Sequence, residues 1–287
     1  MRTTPLVADN FPFAVTYAVL KSNARKPLAA AASSEDRAES ALPELQLLVG
    51  DPDETFALAS VTKPIAAYAV LTGIENGDFQ LDEAAGPEKS TLLHLLAHAS
   101  GLPSTPGAAI AQPGKRRIYS NYGFDVLAQW VEERTGETAA HYIKRRVLQP
   151  LGMDTTEISG SIADSGRSTL DSLLRFAGEL LAPTLISREL MSTATIPAFD
   201  GIPGILPGYG RQKNNTWGLG FEIRSKKTPH WLAPEFSPDT FGHFGQSGSF
   251  LWVDPQIGKA GVFLGAQRFG QTHLALWPEL TAQMRAL

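Results

Sequence analysis

The sequence predicts a mixed α+β fold, with one sheet built from both chain ends and an α-helical insertion between them. Three observations predict it. Runs rich in Val, Phe and Tyr stand near both ends, a long middle stretch has helical apolar spacing, and a Gly/Pro-rich segment precedes the second set of strands.

In chain order, Phe13–Leu20 and Leu45–Val49 read as strands, joined by an Ala-, Ser- and Glu-rich exposed loop. The first lies within "FPFAVTYAVL" (11–20), which could also be a signal-peptide core. Asp9 before it and Arg2 as its only basic residue favour the strand, so the cytoplasm is the expected location. Pro64 is tolerated only near a helix start, so Ser60 to Lys63 form the first turn of a helix that continues through Ile65–Leu71. From about residue 74 to 195 the pattern is helical. One helix is capped by Ser90 or Thr91, runs to Ala99 and stops at Gly101. Others span Phe124–Arg134, Ala139–Leu148, Leu170–Leu181 and Arg188–Thr193. "DGIPGILPGYGRQ" (200–212) reads as a loop. Strands follow at Trp217–Arg224, Gly248–Val253 and Gly261–Ala266, then a helix over Leu274–Leu287. The predicted organisation is a sheet unit of residues 1–73 and 200–287 and a helical unit of 74–199.

Composition removes several classes of function. A net charge of -4 gives no electrostatic footprint for nucleic acid or an anionic membrane. With no cysteine, disulfides, thiolate catalysis and cysteine zinc sites are excluded. No apolar run has the length of a membrane span.

Chemistry is suggested by three short stretches. In "FALASVTKPI" (56–65), Ser60 and Lys63 are at i and i+3 and share one face of a helical turn. Ser60 is the only serine in the chain with lysine three residues on. A serine hydroxyl needs a partner to take its proton, and a lysine becomes a base near neutrality when apolar neighbours and a helix N-terminus disfavour its charge. The same helix start offers free N–H groups to an oxyanion. Alternatively, Ser60 caps the helix and Lys63 reaches to solvent. In "RRIYSNYGF" (116–124), Tyr119 and Asn121 leave one face if extended. Beside a cationic lysine the tyrosine could lose its proton and act as a base. In "GHFGQSGSFLWVD" (242–254), Gly245 lets backbone approach a ligand. His243 could serve as an electropositive group beside a substrate carboxylate or as a proton relay.

In this order, the stretches resemble the serine β-lactamase and penicillin-binding-protein superfamily, which shows S-x-x-K, Y-x-N and H-x-G or K-[ST]-G. "LLHLLAHASGLPS", "YSNYGFDVLAQWVEERTG", "PLGMDTTE" and "WGLGF" also look like the family, so the resemblance covers roughly residues 54 to 266. It is closest to the class C-like branch, with its family VIII esterases and D-amino-acid peptidases. The resemblance implies an antiparallel sheet flanked by helices, an active site between the two units, and a serine hydrolase that forms an acyl-enzyme on an ester or amide. By it, Ser60 is the nucleophile, Lys63 its activating partner, Tyr119 the base that accepts or returns the proton, and Asn121 an orienting group. His243 stands where other members have a lysine, with Gly245 beside it. The oxyanion hole maps to the backbone N–H groups of Ser60 and Gln246. No metal or organic cofactor is implied, and the partner is a small-molecule or peptide substrate. His243 in place of lysine favours an esterase or peptidase over an antibiotic-resistance enzyme. The alternative is a weakly catalytic peptidoglycan- or peptide-binding module on the same fold.

Four further features carry lesser expectations. His94 and His98 have the spacing of a zinc pair but read as buried helix residues. Trp217, Trp231 and Trp252 read mainly as core. Tyr209 is a cleft candidate, and Lys115, Arg116 and Arg117 form a solvated basic loop able to attract a carboxylate if it faces the cleft.

Overall fold

The computed structural model describes residues 10–23 and 43–287. The predicted Ala-, Ser- and Glu-rich loop lies almost wholly outside the described residues.

Strand β1 (Val15–Lys21) comes from the candidate signal segment, and β2 (Glu44–Val49) follows it. After β3 (Phe56–Ala57) a single 3-10 turn over Ala59–Val61 leads into helix α1 (Thr62–Glu75). Next come α2 (Leu92–Leu96), α3 (Asn121–Thr135) and α4 (Ala139–Ile143). Short strands β4 (Glu157–Ile158) and β5 (Gly166–Ser168) precede α5 (Leu170–Leu181) and α6 (Arg188–Ala194). The C-terminal part holds β6 (Gly204–Leu206), β7 (Gly210–Gln212), β8 (Glu222–Ile223), β9 (Phe241–Gly245), β10 (Ser249–Asp254), β11 (Lys259–Gly265) and α7 (Gln271–Ala286).

The main sheet has the order β2-β1-β11-β10-β9-β8 and is antiparallel throughout. Both ends of the chain thus build it, with β1 pairing directly to β11. Its central strands are buried on both faces, which is why they read as continuous apolar runs. Alternate residues nonetheless serve different layers. Ala18, Leu20, Leu251, Val253, Val262 and Leu264 join the core that holds α1 and α5. Tyr17, Val19, Phe250, Trp252 and Phe263 pack with Trp277, Leu280 and Met284 of α7 on the other side. Gly261 lies opposite Trp252, whose indole fills the space a Cβ would need.

The structure departs from the sequence reading in several places, among them β9, whose His243 and Gly245 the sequence places in a turn. "DGIPGILPGYGRQ" contains a hairpin, β6 with β7. Its turn places Pro207 and then Gly208 at φ +76°, the geometry of a Pro-Gly turn. The expected strand Trp217–Arg224 is reduced to Glu222–Ile223, because the chain bends at Gly220 (φ +84°), where an added Cβ would lie 2.1 Å from Cβ of Ala67 on α1. The middle of the chain is not wholly helical: β3, β5 and β4 form a small sheet there. The Ala139–Leu148 helix becomes α4 followed by one π-turn over Lys144–Leu148. Among the described residues no helix is long and apolar enough to cross a membrane.

Candidate active site

Helix α1 is buried on every side over its first three turns. It is therefore a central strut, not an amphipathic surface helix, and it takes Lys63 into the interior with no exposed surface. Ser60 sits in the 3-10 turn just before it. That turn is fixed from three directions. The Leu58 N–H donates to the Gly166 carbonyl at 2.8 Å, and the Gly166 N–H donates to Thr62 Oγ1 at 3.0 Å. The Ser249 hydroxyl reaches the Ala57 carbonyl at 3.2 Å. Ala59, just before the serine, has φ +44°, a left-handed conformation that costs on the order of 1 kcal/mol in a non-glycine residue.

Lys63 Nζ donates to Asn121 Oδ1 at 2.6 Å, to the Ala163 carbonyl at 2.9 Å and to Ser60 Oγ at 3.3 Å. Burial lowers its pKa to about 7, against the opposing pull of Asp164 and Asp125. Asn121 in turn donates to Asp164 Oδ2 at 3.0 Å. The Tyr119 ring lies 4.7 Å from Lys63 Nζ, and its buried hydroxyl makes no hydrogen bond among the described residues. Burial pushes that phenol up. The expectation that a neighbouring ammonium would ionise it is reversed, because desolvation acts on both groups and favours neutral lysine beside neutral tyrosine.

His243 faces the same space, its ring centroid 5.8 Å from that of Tyr119 and 5.3 Å from that of Trp217. Its Nδ1–H donates to the Phe244 carbonyl at 2.6 Å, which leaves Nε2 as a bare acceptor. Burial and the nearby Lys63 charge depress its pKa to about 3. The ring is therefore neutral near pH 7 and not the electropositive group the sequence suggested. Gly245 is required by proximity: an added Cβ would stand 2.3 Å from the Leu58 carbonyl oxygen and 3.2 Å from Cβ of Ala59. Strand β9 thereby presses against the turn that carries Ser60.

These side chains open on a cavity of about 170 Å³ lined by Ser60, Tyr119, Asn121, Leu206, Pro207, Trp217, Glu222, His243, Phe244 and Gln246. The three motifs, some 60 to 180 positions apart in the chain, thus share one space, and both expected oxyanion residues, Ser60 and Gln246, are on its wall.

Other candidates lie elsewhere. Arg117 is buried, not solvated, and donates to the carbonyls of Ala97, Asn215 and Ala198, tying three loops together. Tyr209 packs against Phe244, Phe269 and His230 behind the lining. Trp231 and Trp252 are core, whereas Trp217 is both buried and part of the lining. His98 leaves the helix that carries His94: α2 ends at Leu96, and His98 takes φ +53°. Its Nδ1 accepts the Ser120 N–H at 3.2 Å, its carbonyl accepts the Ile118 N–H at 2.9 Å, and its ring lies 4.7 Å from Tyr119. His98 thus holds the segment that presents Tyr119. Sequence reasoning missed this contact, along with the Ala163 carbonyl, Asp164 and Glu222. The ordering "AHASG" could have hinted at His98, but nothing in the sequence marks a backbone carbonyl.

A model of the β-lactamase family matches residues 50–283. The chain belongs to the β-lactamase family. A β-lactamase from Mycobacterium bovis of known structure is 43% identical, with 98% of this chain and 97% of that one aligned at a TM-score of 0.88. The esterase EstB of Burkholderia gladioli is 32% identical over 147 residues, 35% of this chain and 38% of that protein. A penicillin-binding protein of Bacillus subtilis is 26% identical over 136 residues, 36% of this chain and 30% of that one. The match thus spans about a third of the length of these two curated relatives.

Proposed function

We propose that this β-lactamase-family chain is a serine hydrolase that cleaves an ester or amide through an acyl-enzyme on Ser60. The observation that carries the reading is the contact of a buried lysine, poised near neutrality, with a serine hydroxyl on the wall of a cavity. Neutral Lys63 accepts the Ser60 proton as Oγ bonds to the substrate carbonyl carbon. The oxyanion is held by the N–H groups of Ser60 and Gln246. The bond to the leaving group then breaks, and that group takes a proton from Lys63 ammonium by way of the Tyr119 hydroxyl. Water attacks the acyl-enzyme along the reverse proton path and releases the acid. Asn121 and the Ala163 carbonyl hold the lysine amine toward Ser60, and Gly245 lets the third motif close on it.

The substrate is a small molecule or peptide. The cavity takes Tyr119 and Asn121 from the 74–199 unit and the rest of its lining from the 1–73 and 200–287 unit, which supports a site at their seam.

A fluorophosphonate probe tests the reading. Folded protein is expected to gain the phosphonyl mass on the peptide containing Ser60, and Ser60→Ala to lose both labelling and turnover. Absence of labelling at Ser60, or turnover retained by Ser60→Ala, would refute it.

A further inference from the structure

Two backbone N–H groups flank Tyr119 in the chain, those of Ile118 and Ser120. One residue holds both. The His98 carbonyl accepts the Ile118 N–H at 2.9 Å, and His98 Nδ1 accepts the Ser120 N–H at 3.2 Å. Accepting at Nδ1 puts the ring proton on Nε2, so the second bond needs a neutral imidazole. The ring is 2% exposed and lies 4.7 Å from that of Tyr119 and 4.8 Å from that of Trp217, two residues of the cavity wall.

The backbone makes these bonds possible. Helix α2 has ended at Leu96, and His98 takes φ +53°. That left-handed region is uncommon for residues with a Cβ, and asparagine, aspartate and histidine are the types most enriched in it. The exit is clamped on either side: Arg117 donates to the Ala97 carbonyl, and the Gly114 N–H donates to the Ala99 carbonyl at 2.8 Å. Beyond Tyr119, Ser120 caps α3 by accepting the Gly123 N–H at 2.7 Å. The peptide that joins Tyr119 to Ser120 is therefore fixed by one imidazole nitrogen.

Resting on the hydrolase reading above, we propose that His98 is a positioning residue for the reaction. Its Nδ1 lone pair and left-handed backbone fix where the Tyr119 hydroxyl stands relative to Ser60, and it serves kcat, not substrate affinity.

The test compares His98→Phe, which keeps a packed ring but loses the acceptor, with His98→Asn. Asparagine carries an acceptor at the same bond distance from the backbone as Nδ1 and tolerates positive φ. Turnover of 4-nitrophenyl butyrate is measured for each in the wild-type and Tyr119→Phe backgrounds, with fluorophosphonate labelling of Ser60 and circular dichroism. His98→Phe should lower kcat by about 10²-fold with KM within about threefold, and His98→Asn should keep kcat within about tenfold of wild type. In the Tyr119→Phe background His98→Phe should cost less than about fivefold more, because it acts through the missing hydroxyl. If His98→Phe does not fold, His98→Ala is read in its place with the same expectations. Equal losses in the folded phenylalanine and asparagine variants, full additivity with Tyr119→Phe, a rise in KM alone, or an asparagine variant that does not fold would each overturn the positioning role. Wild-type protein that labels on Ser60 but does not turn over the ester also overturns it. Wild-type protein that neither labels nor turns over overturns the hydrolase reading itself, and the positioning role with it.

Discussion

Replacing Lys63 by methionine should abolish hydrolysis and stabilise the fold. The side chain has no exposed surface, and burial lowers its pKa from 10.5 to about 7. That displacement corresponds to a penalty on the order of 5 kcal/mol on the folded state when the amine must be carried at low pH. The sign follows from proton counting. Between pH 7 and 10.5 the unfolded chain holds one more proton at this site than the folded one, so stability rises with pH there. The penalty is complete below pH 7 and gone above 10.5. Methionine fills a similar volume without the charge but leaves Asn121 Oδ1 and the Ala163 carbonyl without their donor, which returns about 1–3 kcal/mol. The expected result near pH 7 is a variant roughly 1–3 kcal/mol more stable than wild type. Urea unfolding followed by tryptophan fluorescence at pH 7.5 and 9.5 measures it, and the advantage of the variant should shrink by roughly 2–3 kcal/mol across that interval. A gap that stays constant with pH would refute the depressed pKa, and a less stable variant at pH 7.5 would refute the desolvation argument.

Neutralising Asp164 with asparagine removes the carboxylate that most favours the ammonium form of Lys63, yet keeps an acceptor for Asn121. Because Asp164 is exposed, the acid limb of the kcat/KM–pH profile should move down by only about half to one pH unit. Gly245→Ala forces a Cβ against the Leu58 carbonyl, so activity should fall by about 10²-fold in a protein that stays folded by circular dichroism. Tyr119→Phe keeps the packing against His98 and Trp217 while removing the proposed proton carrier. Its kcat should fall by about 10²–10⁴-fold, with folding stability within about 1 kcal/mol of wild type.

Strands β1, β2, β10 and β11 were legible because they are largely apolar and β-branched or aromatic, whereas β9, Phe-Gly-His-Phe-Gly, reads as a turn because of its glycines; α5 was legible because Thr169 caps it and its apolar spacing is regular. The failures share a cause. The β6–β7 hairpin, the bend at Gly220 and the exit of His98 from its helix are set by contacts with distant residues, which local pattern cannot carry. In the site, the residue types at Ser60, Lys63, Tyr119 and Asn121 were readable because motif order survives in sequence. Their protonation was not. Whether lysine and tyrosine are charged depends on burial, and burial here comes from α1 being enclosed on all sides, which no short motif encodes.

Burial also imposes a common condition on the chemistry. The same exclusion of water lowers Lys63 and His243 and raises Tyr119, so all three side chains are shifted toward their neutral forms. Moving the Ser60 proton to Lys63 then creates an ammonium and an oxyanion together in a medium that solvates neither. The proposed mechanism needs acceptors already aimed at the amine and donors already aimed at the oxyanion, since water cannot reorganise to supply them. The Ala163 carbonyl, Asn121 and the Asp164 carboxylate behind it are aimed in this way, and they gain most when the amine gains its proton. In the proposed mechanism these groups therefore matter as much as the serine does. A site that kept Ser60 and Lys63 but lost this set of acceptors would have its lysine driven further toward the neutral form, able to take a proton only at greater cost.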